Sequence, residues 1–161
     1  MMSSWVSHLP DEIEFAHVEG HGLNGEELAR NPRLDHYFVQ NLNENQLFPL
    51  PDQSFDAVLN TVSVQYLQRP EAVFAEIYRV LKPGGIAIIS FSNRMFYQKA
   101  IQAWRDGSED DRVELVKSYF KAIPGFSEPE VVARQGSVPS FLQMLGIPGT
   151  DPFYAVIASR Q

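Results

Sequence analysis

FPLPDQSFDAVLNTVSVQYLQRPEAVFAEIYRVLKPGGIAIISFSN, residues 48–93, decides the fold. It opens as a loop punctuated by Pro49 and Pro51, with Asp52 and Ser54 as turn formers. FDAVL, residues 55–59, reads as a strand that leads through Asn60 and Thr61 into the short apolar stretch VSVQYL. Pro70 suits the first turn of a helix, EAVFAEIYRVL, in which Val73, Ile77 and Leu81 share one face and Phe74 and Tyr78 lie beside them. Lys82, Pro83, Gly84 and Gly85 then end that helix: lysine favours its negative end, proline breaks the hydrogen-bond ladder, and glycine accepts the positive φ of a C-terminal cap. IAIISF, residues 86–91, is almost uniformly apolar, as suits a strand covered on both faces in a parallel sheet.

The flanks continue the alternation. Upstream, IEFAHVEG from Ile13 is a strand, GEELARN a helix that Pro32 stops after about two turns, and HYFVQNL a further strand. Downstream, YQKAIQAWR is a helix, and Ser108 with Asp111 forms a capping box for another, whose apolar positions Val113, Val116, Phe120 and Ile123 recur at spacings of three and four. After Pro124 and Gly125 come the strand PEVVAR, a helix around SFLQML ended by Gly146, and a last strand, FYAVIAS. The order predicts an α/β three-layer sandwich, mostly parallel with a late antiparallel strand, built as one domain over residues 1–161 without repeats or long linkers.

Composition narrows the functional classes. The 161 residues are 44% hydrophobic and 20% charged, which suits one globular core. With no cysteine, a disulfide framework, a Cys nucleophile and thiolate metal ligation are excluded, and a reducing cytoplasmic setting is expected. The formal charge of −7 disfavours a general grip on nucleic acid or anionic membranes, so small molecules or proteins are the expected partners. His8, His17, His21 and His36 show no metal-binding spacing. Asp110 and Asp111 are explained by the start of a helix, and Trp5 and Trp104 read either as a lid over a substrate or as half-buried core.

Gly20-His21-Gly22-Leu23-Asn24-Gly25 fits G-x-G-x-x-G between a strand and a helix and so raises a nicotinamide-binding oxidoreductase. That motif needs a substantial helix behind it to hold a pyrophosphate, and Pro32 truncates this one. A tight strand-to-helix turn is the other reading of the same glycines.

LPDQSFDAV, EIYRVLKPGG and IAIISFSN, in this order and spacing, resemble the second half of a class I S-adenosylmethionine-dependent methyltransferase domain of the type 11 group. The resemblance runs on to the last two strands and covers about four fifths of the chain. It implies a Rossmann-like fold with sheet order 3-2-1-4-5-7-6, and S-adenosyl-L-methionine as cofactor. IEFAHVEGHGLN then matches the family's second strand, FVQNLNE the third, FDAVLN the fourth and IAIISF the fifth. The first, central strand is absent or incomplete, as in an N-terminally truncated domain. Residues 1–12 become a remnant of the cofactor loop, 13–93 the cofactor half, and 94–161 the C-terminal helices and last two strands.

The resemblance also assigns a cofactor site. Met2, Ser3 and Ser4 fall where the family has a glycine pattern, and the Cβ of a serine narrows the approach to a ligand. Gly22, with Leu23 beside it, stands where the family places an acid that accepts both ribose hydroxyls. Losing two charge-assisted bonds is worth roughly 3 kcal/mol, about a hundredfold in affinity, unless Glu19 or Asn24 substitutes. Asn41 takes the adenine position, where its amide oxygen can still accept, with Leu42 packing the ring edge; Asn60, Thr61 and Val62 form the floor. No catalytic residue stands out. The implied activity is methyl transfer to a small-molecule or protein acceptor, weakened or lost through the altered loop and ribose position, and the alternative is a non-catalytic scaffold of the same fold. Three or four buried side chains of a central strand are worth roughly 5 to 10 kcal/mol. A chain without them is expected to close its neighbours directly, to borrow a strand from a homo-oligomer or protein partner, or to leave two edges open.

Overall fold

The computed structural model describes residues 1–4, 9–134 and 152–161. Ten elements follow in order: β1 (Glu19–Gly22), α1 (Gly25–Ala29), β2 (His36–Val39), β3 (Phe55–Thr61), α2 (Pro70–Val80), β4 (Leu81–Ser92), α3 (Gln102–Asp106), α4 (Glu109–Lys121), β5 (Glu130–Arg134) and β6 (Phe153–Ser159). VSVQYL contributes only a 3₁₀ turn, Val64–Tyr66. The helix expected around SFLQML and the residue Trp5 lie outside the described residues.

β1 pairs parallel with β2, and β3 parallel with β4. β6 runs antiparallel between β4 and β5, which is the late antiparallel addition. Met2 joins the two blocks through parallel bridges to His21 of β1 and Asn60 of β3. The lateral order is therefore β2, β1, Met1–Ser4, β3, β4, β6, β5. This is the Rossmann-like order, with a few N-terminal residues in the central place. β1 and β3 do not close directly on each other; the short segment stands between them at one end only.

Upstream, the strand expected from Ile13 begins at Glu19, and Ile13 and Phe15 are solvent-exposed. β1 forms where Val18 accepts backbone bonds from Asp35 and His36 at 3.0 and 3.4 Å, and among the described residues those before it have no such neighbour strand. α1 lasts five residues under an Asn24 cap, whose side chain accepts from Glu26 and Glu27, and ends ahead of Pro32.

Helix α2 packs Val73, Phe74, Ile77 and Val80 inward at helical spacing. Phe74 meets Tyr119 and Phe120 of α4 edge-on, with ring centroids 5.5 and 4.9 Å apart. The capping box of Ser108 and Asp111 is formed at the start of α4. Trp104 is fully buried, edge-on to Phe91 at 4.9 Å, so it is core and not a lid.

The KPGG signal has a different outcome from the one expected. α2 ends at Val80, and Gly84, at φ 80°, lies within β4. Four residues bulge out there between the pairings Phe55 with Leu81 and Ala57 with Ile86. Proline has no N–H for the ladder, and the loop is tied instead to Arg160: Gly84 N–H donates to its carbonyl and its N–H donates to Gly85, both at 2.8 Å. The cap of α2 is also Arg160, whose guanidinium donates to the carbonyls of Tyr78, Arg79 and Leu81 at 2.8, 3.2 and 2.8 Å and lies 4.4 Å over the Tyr78 ring. We predict that Arg160→Ala lowers stability by about 2–3 kcal/mol, a fall in Tm of several degrees, and that Arg160→Lys recovers under half of it; thermal melts of the three proteins decide.

Candidate functional site

A cleft of about 910 Å³ opens at the C-terminal ends of β1 and β3. Strand ends near the point where sheet order reverses are the usual ligand position in open α/β folds, because the loops diverge there to opposite sides. Ser3, Gly22, Leu23, Asn41, Thr61 and Val62 all line it, so six sequence-derived candidates meet in one place. Ser4, Leu42 and Asn60 do not. Ser4 is fully buried, its hydroxyl donating to the Met1 carbonyl at 2.6 Å while its own carbonyl accepts from Asn31 at 2.7 Å. Leu42 belongs to the core. Asn60 lies beneath the floor and accepts from the Ser63 hydroxyl at 2.6 Å, which fixes the turn after β3.

Backbone strain is concentrated at this cleft. Ser3 has φ 57° and Val62 φ 50°, both in the left-handed region that favours glycine. Position 3 thus has the backbone of a glycine loop without the glycine. For β-branched Val62 this conformation is a marked outlier, held by the bond of its N–H to Ser90 at 2.8 Å. Exposed apolar side chains surround the opening: Leu23 and Phe96 are each 72% exposed. The Tyr66 hydroxyl accepts from the Phe96 N–H at 2.9 Å, joining the two loops of the mouth.

The ribose position has a candidate that the sequence reading missed. Glu19 is turned away from the cleft, buried between His17 and His36 at 3.1 and 2.6 Å. The Asn24 oxygen is engaged as the α1 cap. Glu27, in the first turn of α1, is exposed and is the carboxylate among the described lining residues. Its signal was its place five residues after Gly22 on a capped helix, visible only once α1 is folded against β2. Gly20 and Gly22 sit inside β1, where an added Cβ would run into the Leu34 side chain and, at 3.2 Å, into that of Leu28, so packing accounts for both.

His21 is buried, and that burial lowers its pKa, with the neighbouring amine adding to the effect against a hydrogen bond to Gln40. Its Nε2 lies 2.9 Å from the Gln40 carbonyl, which makes Nε2 the donor and leaves Nδ1 an acceptor without a protein partner. Among the described residues no group of three or more His, Asp or Glu could hold a metal ion, and no helix is long and apolar enough to cross a membrane.

Residues 20–89 match the methyltransferase domain family. Over 87 residues the chain is 36% identical to a probable S-adenosylmethionine-dependent methyltransferase of Mycolicibacterium smegmatis, covering 54% of this chain and 29% of that protein. It is 30% identical over 79 residues to the malonyl-[acyl-carrier protein] O-methyltransferase of Serratia marcescens, covering 49% and 30%. Among solved structures, an S-adenosylmethionine-dependent methyltransferase from Mesorhizobium loti superposes with TM-score 0.55 at 19% identity, covering 89% of this chain and 80% of that one. The [4+2]-cyclase SpnF superposes with TM-score 0.56 at 18% identity, covering 89% and 66%. These matches support a class I S-adenosylmethionine-dependent methyltransferase family for the matched region, and the solved structures share its Rossmann-like fold. The chain spans under a third of the length of these two curated relatives.

One outcome tests this geometry. Val62→Gly is expected to raise stability by about 1 kcal/mol, because the released strain exceeds the added chain entropy, whereas Val62→Ala gives no such gain; urea melts check both.

Proposed function

We propose that this chain binds S-adenosylmethionine in the cleft and transfers its methyl group to an acceptor entering between the Val62–Tyr66 and Arg94–Lys99 segments. The observation that carries the reading is the convergence of Ser3, Gly22, Leu23, Asn41, Thr61 and Val62 on one cleft at the strand ends. The residues present fit the cofactor. Glu27 accepts the ribose hydroxyls in place of an acid at position 22. Asn41 faces the adenine amino group; its amide donates to Glu44 at 2.9 Å and its oxygen accepts from Asn43 at 3.1 Å, which holds the side chain in place. The left-handed turn at Ser3 opens the loop to the methionine portion, and Val62 and Leu23 offer apolar contact.

S-adenosylmethionine supplies a methyl group on a sulfonium, which an acceptor takes by in-line displacement. Such transfer needs alignment first and a general base only for some acceptors. Tyr66 and Phe96, with ring centroids 6.4 Å apart, shape the mouth over which an acceptor aligns, and Arg94 and Lys99 make that rim cationic. The fold alone does not fix methyl transfer, since a cyclase shares it. Gly22 favours a second reading, in which the cleft binds a ligand without transferring a methyl group.

Isothermal titration with S-adenosylhomocysteine separates these. Binding is expected, and Glu27→Ala is expected to weaken it by about 10- to 100-fold, the loss of one or two bonds to a charged acceptor. Absence of heat at high micromolar concentration would overturn the cofactor assignment, and binding that Glu27→Ala leaves unchanged would overturn the role of Glu27.

A further inference from the structure

Val62, the strained residue of the cleft floor, is held at both of its backbone polar groups. Its N–H donates to the Ser90 carbonyl at 2.8 Å, which fixes it to β4. Its carbonyl accepts from the side-chain Nε2 of Gln65 at 3.2 Å. A φ of 50° at a β-branched residue persists only where the surroundings determine it, and these bonds grip the residue from either side. The first comes from a strand of the sheet. The second comes from a single side chain, three residues on.

Gln65 departs from the ordinary rules of a core. It is fully buried next to Val64, in a stretch whose Leu67 also packs inward. Among the described residues its Oε1 has no protein partner, so the amide is buried for the sake of its bond to Val62. Reversing that amide would set two acceptors 3.2 Å apart, which makes Nε2 the atom that faces the carbonyl. An apolar side chain of the same shape would suit the core better, because a buried amide with an unmatched acceptor is costly. Rules of this kind are broken where a site requires it, and Val62, Ser63 and Tyr66 around Gln65 all line the cleft. The backbone here is anchored as well. Gln65 accepts from the N–H of Ile101, the cap of α3, at 3.0 Å, and the Tyr66 carbonyl accepts from the Asn43 amide at 3.0 Å.

On the cofactor reading of the cleft, we propose that Gln65 is a positioning residue of the ligand site: by donating to the Val62 carbonyl, it holds Val62 in the left-handed turn that sets the cleft floor. Gln65→Met keeps the length of the side chain and removes the donor. Hydrogen exchange is read at the Val62 amide, with Ile89 in the middle of β4 as the reference for global opening. Exchange at Val62 is expected to rise about tenfold or more with no acceleration at Ile89, and S-adenosylhomocysteine to bind about five- to tenfold more weakly in isothermal titration. In a Val62→Gly background the glycine takes the turn by itself, so adding Gln65→Met is expected to change affinity by less than about twofold.

Unchanged exchange at Val62, or acceleration only in step with Ile89, overturns the proposal and leaves Gln65 an ordinary core residue. An equal loss of affinity in both backgrounds overturns the route through Val62. If the wild-type chain gives no heat with S-adenosylhomocysteine, the cofactor reading falls, and the exchange at Val62 still decides whether Gln65 holds the turn. Should Gln65→Met fail to fold, the wild-type chain decides: a Gln65 side-chain amide proton is expected to exchange far more slowly than those of the exposed Gln53, and equal rates overturn the proposal.

Discussion

The pairing of Met1–Ser4 with β1 and β3 is the constraint on which the sheet depends. His21 N–H donates to the Met1 carbonyl at 2.9 Å, Met2 N–H to Leu59 at 2.7 Å and Ser4 N–H to His21 at 2.9 Å. Among the described residues, these bonds are what ties the β1–β2 pair into one ladder with the four strands β3, β4, β6 and β5. The side chains reinforce the seam. Ser4 bonds the Met1 and His21 carbonyls, Asn31 bonds Ser4, and Met2 is buried in the core with Val58 and Ala87. Four residues thus set the spacing of two strand ends, and the cleft above inherits that spacing.

A second clamp positions the wall below the seam. Arg79 of α2 bonds Glu76 and Asp52 and donates to the carbonyls of Phe48 and Leu50 at 3.1 and 2.8 Å. The Phe48 N–H in turn donates to Glu76 at 2.7 Å. Fixed dipoles and opposite charges around one guanidinium hold its pKa above the usual arginine range, the bond to Glu76 first among the causes. The loop with Pro49 and Pro51 has no strand partner of its own, so this network gives it a defined place against the cavity between β1 and β3.

Much of the fold was legible because it rests on local rules. α2 follows from apolar spacing after Pro70, α4 from Ser108 and Asp111, and β4 from a run of apolar residues that β3 and β6 flank on either side. The failures have physical reasons as well. Pro83 and Gly84 resemble a helix stop, but whether they cap or bulge depends on Arg160, about 80 residues away. Ile13 and Phe15 alternate like a strand, yet a strand needs a neighbour, and among the described residues none pairs with them. At the cleft, the family's order of strand ends carried Ser3, Gly22, Asn41 and Val62 to one place. It could not show that Asn60 and Ser4 turn inward, since two residues adjacent in sequence point to opposite sides of a strand. Glu27 was missed because its role depends on a helix of five residues.

His21 lines both the cavity in the sheet and the cleft at the strand ends, and Met1 to Ser3 run from one to the other. The left-handed turn at Ser3 is the direct continuation of the bridge at Met2. The bridges of Met2 to His21 and Asn60 hold this segment and so restrict the turn that shapes the cleft floor. Ordering a loop before its ligand arrives lowers the entropy that binding must otherwise overcome. The turn at position 3 thus follows directly on a residue paired on both sides, and the cleft floor inherits that restraint.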